Sequence, residues 1–422
     1  MVQPYYFWRT TAVTLSKCTP DNAVCVAIDI SRNRNDILIQ PPGKKRYRMT
    51  ITNDQVDHDR LVNHLKQTGN SVVVGFEATG NYHRPIAWRL LNEGFQMHLI
   101  SSVSLARTRE AIYNGWDKND PKDAQVILYM LRSGQVQYYH DPLLEGTNDW
   151  QELSKTHEVI SKTKTEVLHR LKTHYFPLYF PEIDRFRHNS RSEWFFHFLH
   201  RFPTPSTILA LSPGDFAEQA SPLLGKKVAK QQVIHDIYET AKTSIAIPVA
   251  EDSAAVQMFR LVLVQMQQLI RHRDEIERQG HQLLQDHPDY QRLQQLPGIG
   301  PIHALTILAE AGDLRRFGHY RQFLKYCGFN LSTHQSGQFR GLSKLSKYGN
   351  ARLRKAFWMA GQVAIRQRED SFRDKYNRYV ARKPNDPDLK RKALTAVASK
   401  IARVAYAVIR HSTDYRPFYG VR

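Results

Sequence analysis

From residue 24 the chain sets short apolar runs between amphipathic stretches. VCVAIDIS at 24–31 is a β-branched run bounded by Asn22 and Asn33. NDILIQ (35–40) and YRMTIT (47–52) predict two further strands, joined by a Pro-Pro-Gly turn at 41–43. A helix is expected over 55–67, with Val56, Leu61 and Leu65 on one side. SVVVGFE (71–77) reads as a short buried strand ending at Glu77, after which ATGNY turns the chain into a helix at 83–93. QMHLI (96–100) predicts another strand, with helices near 104–112 and 121–132. Three strands, then helix, strand, helix, strand, helix give a mixed α/β layer. That is the element order of an RNase H-like fold.

The pattern then changes. Over 148–175 it is helical, with Leu153, Ile160 and Val167 seven apart. Over 252–285, Val256, Phe259, Leu263, Met266 and Ile270 alternate spacings of three and four. This is the a/d period of a coiled-coil seam, and each segment is short enough to predict an antiparallel hairpin or a dimer-forming stalk. Between them, 184–250 is punctuated by proline and carries a Lys-rich helix around 226–242, read as an inserted helical subdomain. Residues 291–422 are mostly helical and basic, closing on an amphipathic helix around 389–410. The expected division is an extension at 1–20, an α/β domain at 21–145, a coiled-coil region at 146–290 with its insert at 184–250, and a C-terminal domain at 291–422.

Composition narrows the partners. The 422 residues include 60 Lys+Arg against 40 Asp+Glu, a net charge of +20, and 41% are apolar. Several cores can be buried, and the cationic excess favours a polyanion. A run of about 18 apolar residues, needed to span a bilayer, is absent, and the first 17 residues carry no clean signal-peptide core. The three cysteines, Cys18, Cys25 and Cys327, are scattered without a CxxC, which fits a reducing cytosol and neither a disulfide framework nor a zinc cluster.

Four carboxylates carry candidate chemistry. Strand alternation puts Asp29 on one face with Cys25, Ala27 and Ser31, in the middle of an expected central strand. A carboxylate there needs a pairing partner or a metal. Glu77 ends a buried strand; taken alone, a solvated strand end is its better reading. Asp120 and Asp123 lie in NDPKDAQVI, where helix capping accounts for both, with Pro121 at the first helical position. Positions i and i+3 also share a helix face. Together the four can meet at one edge of the sheet and hold two Mg²⁺ or Mn²⁺ ions, a clamp for phosphodiester chemistry.

Downstream, LPGIGPIHALTIL reads as the hairpin of a helix-hairpin-helix, in which Gly298 and Gly300 let backbone N–H groups approach a DNA phosphate. A tight helix–helix turn is the bland alternative. HQSGQFRGLSKLSKYGNARLRKAFWMAG follows, with Arg340, Lys344, Lys347, Arg352, Arg354 and Lys355 as a phosphate-binding density and Asn350 among them. Ser336 precedes Gly337 in a setting that could present a nucleophilic hydroxyl. From the local sequence alone the plain Ser-Gly turn is the better reading, and Ser332, Ser343 and Ser346 are rivals.

Taken in order, AIDIS, FEATGNY, KNDPKDA, LPGIGP and SGQFRGLSKLSKYGNARLRKA make the chain resemble the DEDD transposases of insertion sequences, relatives of the Piv/MooV-type DNA invertases, over roughly residues 22–415. The resemblance implies a RuvC-like N-terminal domain whose metal ligands are Asp29, Glu77, Asp120 and Asp123. It implies that Ser336 attacks DNA to form a phosphoserine intermediate. It also implies a composite active site shared between protomers in a tetramer assembled from dimers on DNA, and a non-coding bridge RNA that pairs with both target and donor DNA. The chain departs from the shorter members in its 1–20 extension and its 184–250 insert. Two other readings stay open. A RuvC-like junction nuclease using metal-activated water explains the carboxylates but leaves the serine block without a role. A non-enzymatic helix-hairpin-helix DNA-binding protein leaves Asp29 without one.

Overall fold

The computed structural model describes residues 22–113, 120–141, 146–187, 193–224, 229–332, 335–336, 339–341, 344–367 and 371–417, with the backbone alone at 120, 121, 335, 336, 339 and 340. The expected 1–20 extension lies outside these residues. The chain forms two compact units, 1–145 and 146–422.

The first unit follows the expected order of elements. It runs β1 Val24–Ile30, β2 Arg34–Gln40, β3 Tyr47–Thr52, α1 Gln55–Lys66, β4 Val72–Glu77, α2 His83–Asn92, β5 Gln96–Ile100, α3 Ser102–Tyr113, α4 Asp120–Arg132 and β6 Gln137–Tyr138. The sheet order is β3-β2-β1-β4-β5-β6. β1, β2 and β3 pair antiparallel, whereas β4 pairs parallel with β1 and with β5. This is the strand order and sense of an RNase H-like sheet.

Alternation along β1 divides two cores. Val24, Val26, Ile28 and Ile30 pack with Leu61 and Leu65 of α1 and with Ile86 and Leu90 of α2. Cys25 and Ala27 face Ala124, Ile127 and Leu131 of α4 on the opposite side. One expectation fails in α1: Val56 is 77% exposed, whereas Leu61 and Leu65 are fully buried. At 100° per residue, Val56 stands opposite Leu65 on the helix.

The second unit is helical. Its first part comprises α5 Asn148–Arg170, a π turn at Leu171–Tyr175, α6 Phe176–Tyr179, α7 Glu193–Arg201, α8 Pro205–Leu209, α9 Pro213–Ala220, α10 Lys230–Lys242 and α11 Ala254–Leu284. α5 and α11 run antiparallel, since His157 meets Glu277 at one end and Tyr175 stacks on Phe259 past the other. Val256, Phe259, Leu263, Met266 and Ile270 are all buried, but Leu153 and Ile160 of α5 are only partly so. Most of the α11 stripe enters an aromatic core with Phe176, Phe195 and Phe198, so its period serves that core as well as the helix pair.

The rest runs α12 Pro288–Gln294, α13 Pro301–Ala311, α14 Tyr320–Tyr326, the two-residue strands β7 Leu331–Ser332, β8 Gln335–Ser336, β9 Phe339–Arg340 and β10 Lys344–Leu345, then α15 Ala351–Ala364, α16 Ser371–Val380 and α17 Pro387–Arg410. α17 buries Val397, Ile401, Ala405 and Ile409 against Leu353 and Phe357 of α15 in the C-terminal core. Among the described residues no helix is long and apolar enough to cross a membrane.

The two faces of α1 give a direct check. Leu61→Ala removes a fully buried side chain and is expected to cost about 2–5 kcal/mol in urea unfolding. Val56→Ala is expected to stay within about 0.5 kcal/mol. Equal losses would contradict the placement of the helix.

Candidate active site

β1 and β4 register in parallel up to Ile28 beside Phe76, so the next residues on the two strands are Asp29 and Glu77. Both are partly exposed, and both stand at the carboxyl ends of their strands. By alternation Glu77 shares the face of Val73, and Asp29 that of Cys25 and Ala27, which is the face covered by α4. The first turn of α4 carries Asp123, whose neighbour Ala124 packs into that same core. Three of the four expected ligands therefore share one face and one end of the sheet. The fourth, Asp120, opens α4, and its side chain lies outside the described residues.

Asp123 is only 3% exposed, and its Oδ1 accepts a hydrogen bond from Arg109 Nη1 of α3 at 2.5 Å. The guanidinium supplies the counter-charge a buried carboxylate requires. Asp36 of β2 is the register partner of Asp29 and so shares its face. Its carboxylate accepts from Thr50 Oγ1 at 2.9 Å and stands 3.8 Å from Arg34. Sequence reading missed both Arg109 and Asp36. The hairpin register of β1 and β2 could have revealed Asp36; no spacing rule points to Arg109.

Carboxylate oxygens are the donors a hard divalent cation prefers, so the set fits Mg²⁺ or Mn²⁺ in kind. Among the described residues no three His, Cys, Asp or Glu side chains stand close enough together to hold a metal. Asp123 is turned to Arg109.

The second unit holds the serine. β7 pairs with β10, and β8 pairs with β9 as a hairpin nested in sequence inside that outer pair. Backbone pairing sets Ser336 against Phe339, so Ser336 is the last paired residue before positions 337–338. Its side chain and that of Arg340 lie outside the described residues, as do Gly337 and Ser343. Ser332 belongs to the paired base of the hairpin, and the Oγ of Ser346 is buried without a hydrogen-bond partner.

Below the hairpin, much of the expected phosphate-binding density is tied into the fold. Asn350 caps α15, its Oδ1 accepting from the N–H groups of Arg352 and Leu353, while its Nδ2 donates to Glu310 at 2.6 Å. Arg352 pairs with Glu310 at 3.1 Å and with Glu158 at 3.0 Å, and donates to Ser154. Arg354 donates to the carbonyl of Lys347, which holds a left-handed backbone at φ 58°. Gly349, at φ 132°, has no room for a side chain: a Cβ would lie 2.5 Å from the carbonyl of Tyr326. Among the described side chains of this block, the cations left facing solvent are Lys344, Lys347 and Lys355, the last paired with Glu158.

The LPGIGP turn connects α12 to α13. Gly298 has φ +83°, and a Cβ there would lie 2.1 Å from the carbonyl oxygen of Ala360 in α15. This glycine is demanded by helix packing. Gly300, the N-cap of α13, has open space around its missing Cβ, so a phosphate could approach its backbone. His303 Nδ1–H donates to the carbonyl of Gly298 at 3.2 Å, and burial pushes its pKa below the usual histidine value.

A DEDD transposase model of the IS110 type matches residues 26–181, and a model described as the transposase IS116/IS110/IS902 family matches residues 290–377. The chain is 26% identical over 194 residues to a "Probable family 20 transposase" of Pseudomonas aeruginosa, covering 45% of this chain and 54% of that one. It is 30% identical over 128 residues to the transposase for insertion sequence element IS1111A of Coxiella burnetii, covering 30% and 35%. The chain thus spans about half, or less, of the length of these two relatives. Among solved structures, Thermus thermophilus RuvC covers 28% of this chain and 99% of its own at 11% identity, with a TM-score of 0.21, a likeness too weak to add to what the strand order shows.

The Glu310 cluster yields a stability test. Arg352→Ala leaves a carboxylate that is 9% exposed without its cation and is expected to cost about 3 kcal/mol in urea unfolding, with part recovered by adding Glu310→Gln. Lys355→Ala, at an exposed pair, is expected to cost under about 0.5 kcal/mol. Equal stability of the two single variants would contradict the scaffold role of Arg352.

Proposed function

Because the chain belongs to the DEDD transposases of insertion sequences, we propose that it cuts and rejoins DNA through a serine-linked intermediate in the presence of a divalent cation. The observation that carries this reading is the carboxylate end of the sheet. Asp29 and Glu77 sit side by side in parallel register, with Asp123 on the same face. Asp29, Glu77, Asp120 and Asp123 would hold Mg²⁺ or Mn²⁺. Bound there, such an ion neutralises charge on the phosphate and on the departing oxygen.

Ser336 is the nucleophile in this reading, supported by its place beside the hairpin tip while Ser332 and Ser346 belong to the base. Its Oγ forms a bond to phosphorus as the phosphodiester's P–O bond to the neighbouring nucleoside breaks. The serine proton passes to a base or to solvent, and the departing oxygen gains a proton. Attack by a second strand's hydroxyl reverses the exchange and frees the serine. One phosphate ester replaces another at each step, so no external energy source is needed. Arg340, Lys344, Lys347 and the backbone at Gly300 are assigned to phosphate contacts. Gly298, Asn350, Arg352 and Arg354 act through the shape they hold.

The same reading includes a bridge RNA that pairs with target and donor DNA. It also includes dimers assembling into a tetramer in which the acidic unit of one copy meets the serine hairpin of another. Family membership and the net charge of +20 support these assignments. A specific RNA partner should then co-purify with the protein, and RNase treatment should abolish sequence-selective DNA binding in a gel-shift assay. Selective binding by RNase-treated protein would refute the guide role alone.

The catalytic reading is tested on denaturing gels with labelled DNA from the flanks of the chain's own reading frame. Wild-type protein with Mn²⁺ should give a protease-sensitive, slow-migrating DNA species. Asp29→Asn and Ser336→Ala should each lose it while still binding DNA. Free cut DNA without an adduct would instead establish a water-using nuclease, and uncut DNA throughout would establish a binding protein.

A further inference from the structure

Most cations of the first unit that hold an acid do so at its helices or at the start of β2. Arg60 pairs with Asp57, Arg89 with Asp59, Arg84 with Asp141 and Arg109 with Asp123. The segment leading into β3 is different. Lys44, Lys45, Arg46 and Arg48 are all exposed, and among the described residues none has an acidic side chain within ion-pair distance. Tyr47, 37% exposed, is interleaved among them. β3 is one of the two outer strands of the sheet.

Register places this segment with respect to the carboxylates. Ala27, Leu38 and Arg48 are successive partners across β1, β2 and β3, and Asp29, Asp36 and Thr50 form the next row of that face. Paired residues point to the same side of a sheet. Arg48 therefore emerges on the face that carries Asp29. Two inter-strand steps of about 4.8 Å put β3 about 10 Å from β1. One strand of a DNA duplex advances about 3.4 Å per phosphate, so this offset corresponds to about three nucleotides.

We propose that the 44–48 segment is a docking strip for the backbone of duplex DNA about three nucleotides from the cleaved phosphate, with Arg48 as its inner contact. This rests on the reading of the carboxylate end as the cutting site. The partner follows from charge: four unneutralised cations in five residues suit a regular row of phosphates and carry no base selectivity. Cations on an outer strand also guard it against pairing with another chain. That role alone predicts self-association on their removal, with no change in DNA binding.

The test is the salt dependence of binding of the full chain to a 30-base-pair DNA duplex, read by fluorescence anisotropy. Each lost phosphate contact lowers the slope of log affinity against log salt by about 0.9. Arg48→Ala should lower it by about that amount, and the quadruple alanine variant of Lys44, Lys45, Arg46 and Arg48 by roughly 3 to 4, with thermal melting unchanged. Arg60→Ala, which removes a cation already paired with Asp57, should leave the slope alone. Unchanged slopes in the 44–48 variants beside a steep wild-type slope would overturn this inference and spare the transposase reading. A loss confined to an RNA hairpin probe would overturn it in favour of an RNA surface. Failure of wild-type protein to bind duplex DNA at all would remove both.

Discussion

A charge taken out of water must meet its opposite, and that constraint organises both units. In the first, the buried carboxylate of Asp123 is held by Arg109, which fixes the opening turn of α4 relative to α3 at the end of the sheet. In the second, Glu310 is the one acidic residue of a mainly apolar helix, and Asn350 and Arg352 converge on it. Those two residues start α15, and α15 in turn forms the floor under Gly298. A third such pair, Asp289 with Arg315 at 2.6 and 2.9 Å, ties α12 to the segment after α13. Each link is costly to break because removing one partner strands the other without solvent.

The proposed division of chemistry between the two units matches their folds. A parallel β1–β4 pair sets two strand ends side by side, so acids at these ends gather without long loops. The second unit uses a hairpin instead. The β8–β9 pairing sets the backbone of Ser336 against Phe339, next to a segment held in place by Gly349, Lys347 and Arg354. In the proposed reading, gathering charge to hold a cation and presenting one hydroxyl are different structural tasks, assigned to one unit each.

Much of this was legible in the sequence, for physical reasons. The apolar runs of β1, β2 and β4 and the long stripes of α11 and α17 match their periods over enough residues to be unmistakable. β6 has two residues and no pattern to read. Val56 misled because an apolar residue near a helix start was counted without its angle. The Asp29 face was legible because alternation in a strand leaves only two choices. The sequence around Asn350 has the pattern of DNA contacts, whereas its Asn and both Arg side chains bond within the fold. A basic side chain gives the same signal whether it faces a phosphate or a buried Glu. Arg109 and Glu310 were illegible because their importance lies in partners 14 and 40 residues away.

The central claim is that DNA becomes bonded to one particular serine. Its most direct measurement is mass spectrometry of protein trapped with cleaved DNA, digested with nuclease and then with protease. A nucleotide mass on the peptide containing Ser336, with fragment ions placing it on that residue, is the predicted result. A nucleotide on Ser332, Ser343, Ser346 or any other side chain, or cleaved DNA with unmodified protein, would contradict it.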